Sequence, residues 1–594
     1  MGNIDKLITD NLDIWTGAIE KRGSQGRGSS KKIELYGIKK LRELILDLGV
    51  RGLLVPQDPN DEPASVLLEK IAAEKEQLIK DKKIRKQKPL PEISEDEKPF
   101  KLPDGWEWVR LAATGNIFNG NSVNARIKEE KYSVKVGLPF IATKDVGYGF
   151  KPLEYKNGTY IPVGEPRFKV ASAGAVLICS EGGSAGKKCG ITYRDICFGN
   201  KLYANEVFDG ITPELLLSIY LTPFFYDAFS QSMTGIIGGI STSKFMELIV
   251  PIPPETEQPR IVAKVDKLMT LCDQLEQQTE SSLLAHQTLV ETLLNTLLNA
   301  DQNSFDQAWE RIAQHFDVLF TTEHSIDQLK QTILQLAVMG KLVPQDPNDE
   351  PASVLLERIA VEKERLVKEG KIKKQKPLPA VGEDEKPFGL PEGWEWFRIH
   401  ELLYGDTQNG ISMKANEVKG GTPLLRISAA TTRSDFIINE SEFKLTTAIT
   451  EAQLKQYSLM KDDLLSVRFN GNKLFVGRTA VYLGYLTSHY VYPDKLIRLR
   501  LFKKLSNSKL LSYFINSISI RKVIEAHCAT TVGNWGISAK NFKTIPVPIP
   551  PPLEQHRIVA KVDELVALCD QLQAQLVEAQ TTQLHLTDEL AKAD

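Results

Sequence analysis

A fifteen-residue string, VPQDPNDEPASVLLE, begins at Val55 and recurs unchanged at Val343, a shift of 288. The copy continues at the same shift. KIRKQKPLP from Lys83 is matched by KIKKQKPLP from Lys371, EDEKPF from Glu95 by EDEKPF from Glu383, and LPDGWEW from Leu102 by LPEGWEW from Leu390. A second pair closes each large unit: VPIPPETEQPRIVAKVDKLMTLCDQL from Val250 resembles VPIPPPLEQHRIVAKVDELVALCDQL from Val547, shifted by 297. Between these borders, about Val109 to Ile249 and Phe397 to Pro546, lie two stretches of similar length and little evident similarity. A repeated frame with unlike fillings can present equivalent surfaces to two copies of one partner while the fillings do different work.

The frame reads as helical. Ile261, Val265, Leu268, Cys272 and Leu275 alternate steps of four and three, the seam spacing of a coiled coil, and Ile558, Val562, Leu565, Cys569 and Leu572 repeat it. The first stripe lapses at Thr279, Ser282 and His286 and resumes through Leu289, Leu293 and Leu297. A helix from about Thr256 to Asn299 would extend ~65 Å. Its expected partner is Ile326 to Val338, with Leu329, Ile333 and Leu336 on one face, matched near the amino terminus by Leu41, Ile45 and Leu48. The second seam would then pair with the amino-terminal helix and close a pseudo-two-fold ring. Pro63 and Pro351 read as first-turn residues of charged helices ending near Lys82 and Lys371. Their lysine-rich ends read as solvated tails, with phosphate or partner contact as the alternative. Glu20 to Lys32 reads as a flexible linker. Gly49, where the second copy has Ala337, costs about 1 kcal/mol within a helix, so fraying is expected there.

Both fillings mix β-type runs (PFIAT from Pro139, AVLICS from Ala175, PLLRIS from Pro423, DLLSVRF from Asp463, HYVY from His489) with Gly, Asn and Ser turns. Helical runs follow at Pro213 to Ser230 and Asn507 to Ala526. The expected fold is α+β: two mixed modules separated by long antiparallel coiled-coil helices, with an internal pseudo-two-fold repeat. The expected divisions are an extension and linker over 1–38, a helical region over 39–100, a first module over 101–250, a central helical region over 251–390, a second module over 391–547 and a final helix over 548–594.

Loops in the modules carry hydrogen-bond donors of the kinds that pair base edges or grip phosphates. Thr143, Lys144, Ser184, Lys187 and Lys188 stand in the first; Arg426, Ser428, Arg433, Arg468, Asn470, Asn472, Lys473 and Asn534 stand in the second. Taken singly, each is also what a solvated turn looks like. The formal net charge of −2 excludes a general polycation, yet between Pro391 and Pro548 basic groups exceed acidic ones by about eight. Six cysteines without a C-x-x-C pair, and eight scattered histidines, give no metal signature. SEGGSAGKK at Ser180 places three residues between Gly182 and Gly186 and lacks Ser or Thr after Lys187, so it is not a Walker A loop. No dinucleotide fingerprint, nucleophile elbow or Asn-Pro-Pro-Phe tetrapeptide occurs, so no catalytic centre is expected. With no signal-like start and no long apolar run, a cytoplasmic location is expected.

RGLLVPQ from Arg51 and GKLVPQ from Gly340, the two PIPPxxEQxRIVAKVD segments and the two LPxGWEW segments together resemble the specificity subunits of type I restriction-modification systems, over about Lys39 to Leu576. The resemblance implies that each module is a target recognition domain reading half of a bipartite DNA site. It implies that the frame sets the gap and docks two modification subunits. S-adenosylmethionine, ATP and Mg would belong to partner subunits, namely the adenine methyltransferases and a restriction and translocation subunit. By position, the reader role extends to Ser241–Lys244, including Ser243 and Lys244, and to Ser538–Asn541, including Lys540. The departures are Gly49 and Leu53, where the second copy has Ala337 and Lys341, and Pro259, which stands where the second copy has His556 and is expected to reshape the start of the helix. A stand-alone DNA-modifying enzyme and a coiled-coil scaffold without nucleic acid are the alternatives.

Overall fold

The computed structural model describes residues 4–22, 32–133, 136–235, 238–301, 303–447, 449–485, 490–502, 505–531 and 533–592. The chain forms two compact units: Met1–Lys21 with Ile33–Glu280 and Gln580–Asp594, and Arg22–Lys32 with Ser281–Ala579. Each is mixed helix and sheet. Residues 23–31, most of the expected flexible linker, lie outside the described residues, as does His489.

In the first unit the helix Tyr36–Val50 packs on the long helix Gln258–Asn299. They run antiparallel, because Arg42 pairs with Asp273 and Glu276 while Gly49 lies against Ile261 and Val265. Ile261, Val265, Leu268, Cys272 and Leu275 are all buried. In the second unit Glu323–Val338 packs in the same way on Pro552–Leu590, with Lys330 Nζ 2.6 Å from Asp570. Leu329, Ile333 and Leu336 are buried there, as are Ile558, Val562 and Cys569, whereas Leu565 and Leu572 are half-buried and Val566 takes the deeper place.

At its tail the first long helix meets the expected partner, with Gln328 Nε2 donating to Glu291 Oε1 at 3.0 Å, but the two seams correct the expected pairing. Each seam lies against the short helix of its own copy, where Arg42 pairs with Asp273 and Lys330 with Asp570. The tail of the first long helix joins the second unit through Val290, Leu294 and Leu297, so its apolar face includes Val290 and Leu294, and Leu289 is exposed. The Lys341 ammonium donates to the carbonyls of Leu298 and Ala300 at 2.8 Å and caps the carboxyl end of that helix. Leu53, its counterpart, cannot do this.

The remaining frame elements are duplicated too. The charged helices span Ala64–Lys80 and Ala352–Lys368, with Pro63 and Pro351 as N-caps just outside the first turn. Gly52 (φ +71°) and Gly340 (φ +68°) turn the chain where a Cβ would stand 2.5 Å from Pro103 and Pro391. After each charged helix an extended strap returns to the module, pinned by an arginine fork. Arg110 donates to the Pro91 and Glu92 carbonyls and to Glu97; Arg398 donates to those of Pro379 and Ala380 and to Glu385. The neck of each module is a two-stranded antiparallel ribbon, Glu107–Arg110 with Ile249–Ile252 and Glu395–Arg398 with Pro546–Ile549. The strands stop at the following prolines. With Pro259 in its first turn, the first long helix starts at Gln258, whereas the second starts at Pro552, three places earlier in the alignment.

Ahead of the first frame copy, Ile4–Asp10 and Leu12–Gly17 are helical, with Ile8 and Trp15 fully buried. In the second unit Phe305–Gln314 stands before the matching helix, and Ile312 is fully buried while Trp309 remains exposed. Among the described residues no helix is long and apolar enough to cross a membrane.

Candidate nucleic-acid interface

The two modules contain one sheet design. In the first, four antiparallel strands lie in the spatial order Gly115–Asn119, Leu202–Val207, Val176–Cys179, Cys189–Ile191. In the second the order is Gln408–Asn409, Leu496–Leu499, Leu464–Val467, Thr479–Val481. The helix pairs Pro213–Tyr220 with Pro223–Gln231 and Ser508–Ile515 with Ile518–Ala526 follow at the same point of the chain. Register fixes the correspondence. Leu202 pairs with Cys179 and Ile178 with Cys189; Leu496 pairs with Val467 and Ser466 with Thr479. One end of each sheet therefore gathers Asn119, Lys201, Ser180 and Lys188 in the first module, and Asn409, Lys495, Arg468 and Arg478 in the second.

Three backbone hydrogen bonds close that end identically. Ser180 N–H donates to Lys201 O at 2.9 Å and Arg468 N–H to Lys495 O at 2.8 Å; Ile240 N–H donates to Ser180 O and Ile537 N–H to Arg468 O, both at 3.0 Å. Gly186 N–H donates to Cys179 O at 2.9 Å, and Gly477 N–H to Val467 O at 2.7 Å. Both glycines have positive φ, and a Cβ would stand 2.7 Å from Phe229 or 2.5 Å from Ile524, so each loop needs glycine where it rejoins the sheet. Beside each loop a short helix is capped by serine: Ser241 Oγ accepts from Lys244 N–H and Ser538 Oγ from Asn541 N–H.

Most of the first module's candidates meet here. Lys187 Nζ stands 5.5 Å over the Tyr226 ring; Lys188 Nζ stands 5.2 Å over Tyr148 and donates to Thr143 O at 3.2 Å. Ser184 O accepts the Lys187 and Lys188 amides, and Lys144 is exposed on the 3-10 turn Thr143–Asp145. Ser243 and Lys244 are exposed on the neighbouring capped helix, with Ser243 Oγ 3.1 Å from Ser241 Oγ. Cation–π contacts of this kind are worth about 0.5–1 kcal/mol when exposed, enough to hold a lysine without cancelling its charge.

In the second module Arg468, Asn470, Asn472, Lys473 and Asn534 share a three-stranded ribbon formed by Phe469–Asn470, Asn534–Gly536 and Ala529–Thr531. Arg468 stacks 4.6 Å over Phe469, and Lys473 Nζ lies 5.0 Å over Trp535. Asn470 and Asn472 use their side-chain oxygens on the turn itself, accepting from Asn472 and Leu474 amides. Their amide nitrogens and the exposed Asn534 side chain have no partner among the described residues. Lys540 is exposed on the capped helix.

Three candidates fall elsewhere or are neutralised. Arg426 lies 3.7 Å from Glu442, which also accepts from Ser428 Oγ at 2.9 Å. The Arg433 guanidinium is forked onto Asp435, which holds that carboxyl below the usual carboxylate range against the burial that opposes it. These carboxylates already supply the charge a phosphate would bring.

The fold adds residues that spacing does not reveal. Arg478 is sandwiched 5.3 and 5.9 Å from Phe436 and Phe475, and Arg521 donates to the Leu474 and Val476 carbonyls, clamping the ribbon loop. Burial pushes the guanidinium of Arg478 down from its ordinary value, and nearby Arg521 adds to the shift. Lys201 and Lys495 are adjacent to each loop, the former paired with Glu181 at 2.9 Å. Among the described residues no group of three His, Cys, Asp or Glu could hold a metal ion.

A family described as "Type I restriction modification DNA specificity domain" matches residues 103–285 and 391–579. The chain belongs to this family. Each match takes in one module with the first part of its long helix, so the family's repeated unit coincides with the duplication. Among relatives, the type I restriction enzyme EcoEI specificity subunit of Escherichia coli is 43% identical over 99% of this chain and 99% of its own. The EcoAI specificity subunit of the same organism is 43% identical over 100% and 99%. A solved HsdS subunit from Thermoanaerobacter tengcongensis aligns at 18% identity and a TM-score of 0.38, covering 83% of this chain and 97% of that one. As a type I restriction-modification specificity subunit, the chain has two modules built on one scaffold with different side chains at the same sheet end.

Proposed function

We propose that this specificity subunit reads a bipartite DNA target, one half with each module, through the loops Ser180–Lys188 and Arg468–Arg478 and their capped neighbours. The supporting observation is the matched sheet end, where closure and capping are repeated while Ser, Lys and Gly in one loop are replaced by Arg, Asn and Lys in the other. Position on DNA comes from phosphate contacts and identity from base edges, so a constant scaffold with variable donors suits a reader. The frame would set the gap between half-sites and dock two modification subunits on its duplicated surfaces. Recognition would be this chain's whole task, with S-adenosylmethionine, ATP and Mg bound by its partners. A scaffold without nucleic acid would give no reason for an acid-free stretch from Arg468 to Arg478.

The deciding experiment exchanges residues 109–249 for the corresponding module of a related subunit, co-expresses the hybrid with its modification subunit and maps methylated adenine in the genome. One half of the methylated sequence changes and the other is kept. A hybrid that methylates the original sequence refutes the proposal.

A further inference from the structure

Lys188 and Arg478 occupy the same place in the two modules, one residue before the last strand of each sheet. Each is fixed by neutral groups from the same side. Lys188 lies over Tyr148 and donates to Thr143 O; Arg478 lies over Phe436 and its Nη2 donates to Arg433 O at 3.0 Å. Among the described residues neither has a carboxylate within ion-pair distance, Asp327 acting on Arg478 only from farther off, although Arg433, whose carbonyl Arg478 holds, is forked onto Asp435. Arg478 Nε is buried without a hydrogen-bond partner. A desolvated cation left unpaired is costly, and the cost is offset when an anion arrives. Between these cations and the capped helices, the two loops share no side-chain pattern.

From this equivalence we infer that Lys188 and Arg478 are phosphate anchors, one per module, which seat the DNA backbone, while the loop tips Ser184–Lys187 and Asn470–Lys473 read bases. The division rests on the DNA-reading proposal above and adds to it which residues carry no sequence information. Anchoring needs only charge in a fixed place, which explains how Lys and Arg serve at one position on unrelated aromatic supports. Base reading needs particular donors, which explains why the tips differ. An arginine stacked on two rings and tied through Nη2 to the Arg433 carbonyl is held in place, so its anchor is the more rigid of the two.

The test uses the full chain co-expressed with its modification subunits, with a duplex containing the methylated sequence as probe. Lys188→Gln and Arg478→Gln are each expected to lower the slope of log affinity against log salt by about 0.9, the loss of one phosphate contact, with the same sequence still methylated. Lys188→Arg and Arg478→Lys are expected to keep the slope, which separates charge from folding. Asn470→Ala with Asn534→Ala is expected to change the methylated sequence and leave the slope unchanged. An unchanged slope in both Gln variants, weakened subunit association instead, or an altered methylated sequence in either Gln variant would overturn the inference. If the unsubstituted complex showed no sequence-dependent methylation, the DNA-reading proposal itself would fall.

Discussion

Trp106 Nε1 donates to Glu257 Oε2 at 2.9 Å, and Glu257 Oε1 accepts from the Gln57 amide at the same distance. The second copy repeats the arrangement, with Trp394 Nε1 at 3.0 Å and the Gln345 amide at 3.0 Å from Glu554. These triads join the LPxGWEW segment, the VPQDPNDEP turn and the foot of the long helix, three repeated segments held by one carboxylate. Both carboxylates are fully buried, and burial pushes each above its ordinary value despite the donors. A carboxyl group raised in the folded state binds its proton more tightly there than in the unfolded chain. Its contribution therefore falls as pH rises above the unfolded value near 4.3. Glu257→Ala leaves the buried indole N–H only its longer bond to Gln57 Oε1, 3.3 Å, and is expected to cost about 1–3 kcal/mol in chemical denaturation at neutral pH. Glu554→Ala should act alike in its own copy. Two variants as stable as the parent would show that the triad does not hold the frame.

The arginine forks make an opposite pH prediction. Arg110 beside Glu97 pulls that carboxyl down to about 2, and Arg398 lowers Glu385 in the same way. A depressed carboxyl stabilises the fold above its unfolded value and loses that contribution as pH falls through the range from about 4.3 toward 2. Acid should loosen the straps before the sheets. Arg398→Ala is expected to raise amide hydrogen exchange across 371–391 at neutral pH and leave the sheet around Leu464–Val467 protected. Unchanged exchange in the strap would mean that the fork is ornamental.

The repeat, the seams and the α+β class were legible in sequence because burial imposes a period and duplication imposes a register. Which helix faces which seam was not, since Leu41 and Leu329 offer the same apolar face to either partner. The polar rungs give no guide either, because Arg42 and Lys330, like Asp273 and Asp570, are equivalent in the two copies and could exchange partners without losing charge complementarity. The likeness of the modules was hidden for a related reason. A four-stranded sheet asks for alternation and a turn, which many sequences satisfy, so Val176–Cys179 and Leu464–Val467 share a place without sharing residues. The site candidates came from composition, which picks out Lys188 and Arg468, placed by the fold at the matched sheet end, and equally Arg433, because its neutralising Asp435 counts in sequence as one more polar loop residue. Arg478 is not singled out by composition, since its aromatic environment comes from Phe436, more than forty positions away.

Gly49 was expected to weaken the first short helix, and the helix nevertheless runs to Val50. Its helical conformation and surroundings admit a methyl group: a Cβ would lie 3.5 Å from Val265, 3.6 Å from Leu54 and 3.7 Å from Ile261, ordinary contact distances. Gly49→Ala is therefore expected to stabilise the protein by about 0.5–1 kcal/mol through reduced freedom of the unfolded chain and added packing. Thermal unfolding checks it. A lowered midpoint would mean that the seam cannot accept the side chain that the second copy carries at Ala337.

Between Glu276 and Leu289 the first long helix has no buried residue, and between Asp570 and Leu586 the second has none. In the second only the half-buried Leu572 and Leu576 pack against the core, so both stretches can be shortened while every fully buried side chain is kept. Removing residues 279–285 and 576–582 together takes one heptad from each, about 10 Å of rise, and turns the helix phase by only ~20°. If the frame sets the gap between half-sites, the doubly shortened chain co-expressed with its modification subunit should methylate the same two half-sites at a shorter separation. Single deletions, which leave the two helices unequal, should impair assembly more than the paired one does. Methylation mapping distinguishes the outcomes: an unaltered gap would sever the frame from spacing, and altered half-sites with an unaltered gap would place base reading in the helices instead of the loops.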